Sequence, residues 1–244
     1  MVAIGDEILA GHVHESNSHF VARTIKPLGI RLKRVEICSD EVDDIEATLR
    51  RVGAGVDYLL TSGGLGPTPD DRTMQGVAQA AGAPLVQREE DMAWMRARVA
   101  EGHRRGYFES PEPNEGLWKM TYLPAGCEVM RNHIGTALGA IITFGDRPTT
   151  LFTLPGPPGE FERMFHEGVL PLLETGASIH TEELVIRSEE SRFYGLLVEM
   201  ETKFPDVQLG SYPEHGQIRL RATGQEGRAR ALIAAVRERV AAYL

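Results

Sequence analysis

Residues 59–73 read LLTSGGLGPTPDDRT, an apolar run that breaks into three glycines, two prolines and two adjacent aspartates before a helical pattern begins. Thr68 is placed to cap the following helix, Pro69 suits a first helical position, and Asp71 stands where a capping-box carboxylate would. Met74, Val77, Ala78 and Ala81 then recur at helical spacing, with Gly82 as the stop. Capping does not account for Gly63, Gly64 and Gly66, each of which adds chain entropy and contributes no side chain. Glycines between a strand and a helix expose backbone N–H groups and let a ligand approach, and the helix N-terminus adds partial positive charge. Phosphate or carboxylate is the natural guest. The run matches neither G-x-G-x-x-G nor a P-loop, so spacing alone leaves an anion site and a plain tight turn both open.

Working outward, short apolar runs alternate with helical patterns over the first two thirds of the chain, as βαβ units and a mostly parallel sheet require. VAI at 2–4 is a strand, followed by a helix from Ser16 or Asn17 with Phe20, Val21, Thr24 and Leu28 on one face. IRLKRVEIC at 30–38 is the next strand, and Ile45, Leu49 and Val52 mark a helix closed by Gly53 and Gly55. VDYLLTS at 56–62 is a central strand. The pattern dissolves over 97–119, rich in Gly, Pro and charge, a long excursion. LGAIITF at 138–144 and TTLFTL at 149–154, separated by GDRP, predict an antiparallel pair, and a helix is expected over about 158–173. After residue 174 the order becomes β-α-β-β-α. The expected architecture is a three-layer α/β/α domain over 1–174 with a mixed, mostly parallel sheet, plus a small α+β subdomain over 175–244.

The composition is that of an ordinary globular protein, with 42% hydrophobic and 25% charged residues in 244. A net charge of −9 argues against a nucleic-acid partner held by phosphate neutralisation. No run approaches the ~18 apolar residues of a membrane span, and Asp6 and Glu7 interrupt the start before a signal peptide could develop. Cys38 and Cys127 are too few for a disulfide framework and are expected as small buried hydrophobes. A soluble, cytoplasmic protein acting on small molecules is the expectation. VAI reads as the tail of a buried strand, so a few further residues before it are expected in the natural chain.

A second junction, FTLPGPPGEFERMF at 152–165, again sets glycines and prolines, Pro155 and Gly156 among them, between a strand and a helix. Two such loops on one sheet edge make a cleft, although turn chemistry alone also explains them. Glu7, Asp40, Asp70 and Asp71 all follow predicted strands and would gather on that edge. Converging acids can hold Mg²⁺ or another hard cation bridged to substrate phosphate; solvated loop acids are the plainer alternative. HVHESNSH at 12–19 lacks a third partner for a metal site, and no G-x-S-x-G elbow marks an α/β-hydrolase.

TSGGLGPTPDDRT closely resembles the T-T-G-G-x-G-x-x-x-x-D-x-T signature of the molybdopterin-binding (MoaB/Mog-type) fold, in the version found in CinA-type competence/damage-inducible proteins. IGDEILAG, ESNS, SDE, NHIGTALG and LPGPPGEFERMF resemble further motifs of that family in the same order, and YPEHGQIRLRATG resembles strands of the α+β unit that follows in CinA-type proteins. Asp6 and Ser62 stand where Thr is common. Full-length CinA proteins continue into a deamidase domain, so deamidase activity is not expected of this chain. Mog-type relatives bind molybdopterin and adenylylate it or insert molybdate, with two important aspartates that fall by motif on Asp40 and Asp71. CinA-type relatives, and the similar domain of eukaryotic FAD synthases, are associated with metal-dependent hydrolysis of nucleotide pyrophosphates such as ADP-ribose or FAD. The resemblance therefore implies Asp40 and Asp71 as catalytic, and a phosphate cradle at Gly63, Gly64 and Gly66. It implies ligand contacts from Asn17, Thr73, Asn132, Gly135, Thr136, Pro155 and Gly156. A divalent cation (Mg²⁺, Mn²⁺ or Co²⁺) would sit on Glu7, Asp40, Asp70 and Asp71, polarising the pyrophosphate and activating water. The ligand would be a nucleotide diphosphate or a pterin, molybdopterin included, and the protein a homo-oligomer. A ligand-binding module without turnover is the third possibility.

Overall fold

The structure, a computed structural model, describes residues 1–146, 148–176 and 178–244. In chain order the strands are β1 (Val2–Ile4), β2 (Glu36–Cys38), β3 (Tyr58–Ser62), β4 (Leu85–Gln87), β5 (Tyr122–Pro124), β6 (Glu128–Arg131), β7 (Leu138–Phe144), β8 (Thr149–Leu154), β9 (His180–Ile186), β10 (Gln208–Glu214) and β11 (Gln217–Gly224). The helices are α1 (Asp6–Leu9), α2 (Asn17–Ile25), α3 (Val42–Gly53), α4 (Thr73–Ala81), α5 (Glu89–Arg104), α6 (Glu115–Lys119), α7 (Pro158–Met164), α8 (Tyr194–Lys203) and α9 (Glu226–Arg239). The chain divides into two compact units, Met1–Ala22 with Leu32–Glu174, and Arg23–Arg31 with Thr175–Leu244.

The first unit is an α/β fold around a mixed sheet in the order β2-β1-β3-β8-β7-β6. The pairings of β1 with β2 and β3, and of β3 with β8, are parallel; β7 runs antiparallel to both β8 and β6. β3 and β8 are buried almost throughout, as central strands covered on both faces must be. On one face Ile45, Leu49 and Val52 of α3 and Val77 and Ala80 of α4 pack on Val2, Ile4, Leu59 and Leu151. On the other, the approach of Met164 in α7 to Gly139 places α7 against β7, and Phe20 of α2 meets Phe161 and Phe165 edge to face. The turn expected at GDRP includes residue 147, which lies outside the described residues.

Three expectations need correction. The strand over 30–38 is only Glu36–Cys38, because β1 has three residues to offer and β2 has no other neighbour among the described residues. The helix expected over 158–173 changes its winding at Phe165, continuing as a π turn and then a 3₁₀ turn to Leu172. The excursion over 97–119 contains the second half of α5 and all of α6: Met95 and Val99 form a narrow apolar stripe in a charged helix, buried with Leu65 and Leu117.

In the second unit β10-β11-β9 form an antiparallel sheet. Ile218, Leu220 and Ala222 alternate inward along β11 and meet Met200 of α8 and Leu232 and Val236 of α9. Cys38 and Cys127 are free and buried, and burial pushes the Cys38 thiol up to about 12. Among the described residues no helix is long and apolar enough to cross a membrane.

The α3–α4 contact makes a test. A Cβ on Gly76 of α4 would lie 2.4 Å from Cγ2 of Ile45. Gly→Ala inside a helix ordinarily stabilises by about 1 kcal/mol; at this position overpacking should reverse the sign, lowering stability by about 1–3 kcal/mol. A reduced urea midpoint for Gly76→Ala is the expected result, and a raised one would show that Ile45 yields.

Candidate functional site

Four loops meet at the edge of the sheet where β1, β3 and β8 end and antiparallel β7 begins. The loop after β3 is set by two successive left-handed residues, Gly63 with φ 106° and Gly64 with φ 64°. A Cβ at Gly63 would stand 2.2 Å from the carbonyl oxygen of Ile4, and one at Gly64 equally close to Oγ1 of Thr73. The protein's own packing therefore demands these glycines. The fully buried Thr73 hydroxyl donates to the Gly63 carbonyl at 2.9 Å, and the Thr73 N–H donates to Gly64 O at 3.1 Å. The N–H groups of Gly64, Leu65 and Gly66 find no acceptor among the described residues. Successive N–H groups without an acceptor are the donors an anion needs.

The proposed cap of α4 is not observed. The helix begins at Thr73, with Arg72 in the capping position and no side-chain cap. Instead Asp71 Oδ2 accepts the Thr68 N–H at 2.9 Å and the Thr68 hydroxyl, and Asp71 N–H donates to Thr68 O. Lys119 Nζ donates to the carbonyls of Thr68 and Asp71, so residues 68–71 close on themselves as a turn ahead of the helix. The Asp71 carboxylate lies against Gly66, within 2.6 Å of where a Cβ would be.

The remaining loops are braced in the same manner. Asn17, at the start of α2, donates from Nδ2 to Ser62 Oγ at 2.7 Å and Gly156 O at 2.9 Å, tying the β3 and β8 loops together. Asn132 Oδ1 accepts the N–H groups of Ile134 and Gly135, and its Nδ2 donates to Glu160 of α7. Arg98 of α5 donates to the carbonyls of His133, Ile134 and Gly135. Asn17, Thr73 and Asn132 are all buried; they shape the loops from behind.

These loops enclose a cavity of about 830 Å³. Of the residues expected from the sequence, Glu7, Gly63, Gly64, Gly66, Asp71, Gly135, Thr136, Pro155 and Gly156 line it. Asp40 and Asp70 do not figure in its wall. Sequence reasoning missed the wall supplied by Arg98, Glu101, Arg105, Tyr107 and Phe108, together with His133, Ile134 and Glu160. Glu160 stands in the quoted LPGPPGE motif and Ile134 in NHIGTALG, which is the signal that could have found them; the α5 residues carry none.

Asp40 Oδ2 accepts the Asp6 N–H at 2.8 Å and so holds the chain leading to Glu7. Burial, opposed by that bond and aided by the charges of Asp6, Glu7 and Asp70, raises the Asp40 carboxyl above its ordinary value. Burial likewise lowers the Lys119 ammonium, against the pull of Asp71 and Asp70. Among the described residues no three His, Cys, Asp or Glu side chains gather closely enough to hold a metal ion.

The loop geometry coincides with a family match: residues 1–175 fit the model described as a probable molybdopterin binding domain, and the chain belongs to that family. Residues 178–242 fit the middle domain of FAD synthase. A protein of Pyrococcus furiosus is 35% identical over 88% of this chain and 84% of its own length. A CinA-like protein of Nostoc sp. is 30% identical over 98% of this chain and 56% of its own, so the chain spans about half the length of that relative. The crystal structure of CinA from Thermoplasma acidophilum superposes with a TM-score of 0.58 at 29% identity, covering 68% of this chain and 91% of that one.

A carboxyl whose pKa rises on folding is favoured in its protonated form. Ionising Asp40 therefore removes stability as pH climbs from the unfolded-state value through the higher folded one. Asp40→Asn keeps an acceptor for the Asp6 N–H and removes the charge. In metal-free buffer it should be more stable than the parent at neutral pH, with the gain fading at about pH 3. Urea midpoints at the two pH values measure this, and a less stable variant at neutral pH would contradict it.

Proposed function

We propose that this chain is a divalent-cation-dependent hydrolase of nucleotide pyrophosphates, of which ADP-ribose and FAD are representatives. The observation that carries the reading is that the glycine loop, with its unmatched N–H groups, and the carboxylates of Glu7 and Asp71 belong to one cavity wall. A diphosphate laid on the loop would meet donors already held in place by Thr73 and Ile4, so little reorganisation accompanies binding. The charges around it oppose a bare anion. Glu7, Asp71, Glu101 and Glu160 outnumber Arg98 and Arg105 in the wall, and both arginines are engaged, Arg98 by carbonyls and Arg105 by Glu101.

A divalent cation resolves that conflict. Mg²⁺ is commonly held by one or two carboxylates plus substrate phosphate oxygens, not by an all-protein cage, and the donor set fits that mode. Glu7 and Asp71 would hold it from the wall, Asp40 would position Glu7 through the Asp6 N–H, and Asp70 stays exposed on the adjoining turn. When bound, the cation supplies charge neutralisation and polarises the phosphoanhydride. Hydrolysis adds water oxygen to one phosphorus and breaks the P–O–P bridge. ADP-ribose would give AMP and ribose 5-phosphate, with the released proton passing to solvent. The match of residues 178–242 to a FAD synthase domain supports a nucleotide pyrophosphate as the substrate class.

The family description supports a second reading, in which the same donors hold the phosphate of molybdopterin for binding or adenylylation. A ligand-sensing or assembly module that keeps the fold without turnover is the third.

Incubation with ADP-ribose or FAD and Mg²⁺, Mn²⁺ or Co²⁺ should release AMP, and chelation should stop it. Asp71→Asn should lower turnover about 100-fold or more with a stability loss of only about 1 kcal/mol, the ordinary net worth of a hydrogen bond such as those that close the 68–71 turn. Undiminished turnover in that variant would remove Asp71 from the chemistry. No AMP with any metal would sink the hydrolase reading: a thermal shift with a pterin would then favour the second, and no shift with any of these ligands the third.

A further inference from the structure

The wall that the sequence did not reveal contains an aromatic side chain whose surroundings are fixed while its own ring is left open. Tyr107 N–H donates to Gly102 O at 2.9 Å, and the next residue's carbonyl, Phe108 O, is bonded by His103 Nδ1 at 2.8 Å. The Phe108 ring packs over Gly102, with ring carbons 2.5 and 2.6 Å from where a Cβ would be, and joins the cluster of Leu65, Met95, Val99 and Leu117. The backbone around Tyr107 is thus tied down on both sides. The residue nevertheless remains 77% exposed, and it lines the large cavity.

A second exposed apolar side chain lines the same cavity from a different loop. Ile134 is 50% exposed, on a segment held rigid by Asn132 and Arg98. Arg98 belongs to α5, the helix that leads into Tyr107, so its bonds to the 133–135 carbonyls set the separation between the two supports. Apolar groups held in water on a rigid concave wall gain most from a flat guest that covers them without reorganisation.

We propose that Tyr107, with Ile134, forms a subsite that stacks the planar heteroaromatic ring of a phosphate-bearing ligand, while the glycine loop takes the phosphate. The proposal rests on the phosphate cradle described above and adds to it the part of the ligand that decides recognition. Purine, isoalloxazine and pterin rings share the required chemistry, a broad π face with polar edges. Stacking on an aromatic side chain tolerates all of them, because the face, not the edge pattern, makes the contact. Cavity volume sets the upper limit: about 830 Å³ accommodates a nucleotide-sized molecule.

AMP and ribose 5-phosphate differ only in the base, which makes them the probes, with Mg²⁺ present and binding read by calorimetry. The intact chain should bind AMP more tightly than ribose 5-phosphate. Tyr107→Ala should weaken AMP about tenfold or more while changing ribose 5-phosphate by less than about twofold, and Tyr107→Phe should keep the AMP affinity. FMN provides an independent readout, since stacking should quench its fluorescence in the parent and less so in Tyr107→Ala. Unchanged AMP affinity in Tyr107→Ala would overturn the proposal, as would an equal loss for both probes or the lack of any preference for AMP in the parent. If ADP-ribose is not hydrolysed but the Tyr107-dependent preference for AMP persists, the hydrolase reading fails and the ring subsite stands.

Discussion

The Thr73 hydroxyl reaches back 2.9 Å to the Gly63 carbonyl, and the geometry of the cavity edge depends on that bond. It turns the carbonyl inward, against the first turn of α4, at a place where two left-handed glycines reverse the chain after β3. The N–H groups that follow, of Gly64, Leu65 and Gly66, find no acceptor among the described residues. Without the hydroxyl, a buried carbonyl would lack a partner and the loop would have reason to rearrange. Asn17 performs the same service for the loop after β8, and Arg98 for the segment that carries Ile134, which Asn132 also ties from within. Each cavity loop thus has a polar side chain from another element satisfying its backbone.

That division of labour explains the character of the wall. The polar side chains with the best hydrogen-bonding capacity are spent on the scaffold, so the surface left for a ligand consists of bare backbone donors, a few acids and exposed apolar groups. Backbone donors cannot titrate or change rotamer, which suits them to a phosphate. The acids make phosphate binding conditional on a cation. The apolar groups favour a ring. Asp71 stands between these roles: it closes the turn with Thr68 and still faces the cavity, while Lys119 fixes the same turn from behind through two carbonyls.

The expectation of an α/β fold with a mixed, mostly parallel sheet rested on strong local signals, and those signals hold where one element dominates its surroundings. β3 is buried almost throughout because it is covered on both faces, and α4 shows its period because one stripe alone meets α3 and the sheet. The signals weaken where the partner sets the length. Nothing in IRLKRVEIC indicates that β1 can pair with only its last three residues. The start of α4 misled for a related reason. Thr68, Pro69 and Asp71 have the right types for a cap, but Lys119, nearly fifty residues on, claims the carbonyls that a helix starting there would have used.

Glycines at 63, 64 and 66 could be recognised as special from their neighbours along the chain, because a residue without a side chain between a strand and a helix has few other uses. Their cause was not legible. It lies in Ile4, Thr73 and Asp71, whose atoms occupy the space a Cβ would need at Gly63, Gly64 and Gly66 in turn. Likewise the motifs supplied Asn17, Thr73 and Asn132 as site residues, yet only their burial and hydrogen bonds show them holding loops from behind the wall. Tyr107, Arg98 and Arg105 carry no local mark at all, since a charged helix with a two-residue apolar stripe looks like any solvated surface until it is folded over a cavity. Element type follows from short-range periodicity, which is written along the chain. Which side chains meet at a site follows from contacts between distant segments, and those exist only once the sheet has brought its loops to one edge.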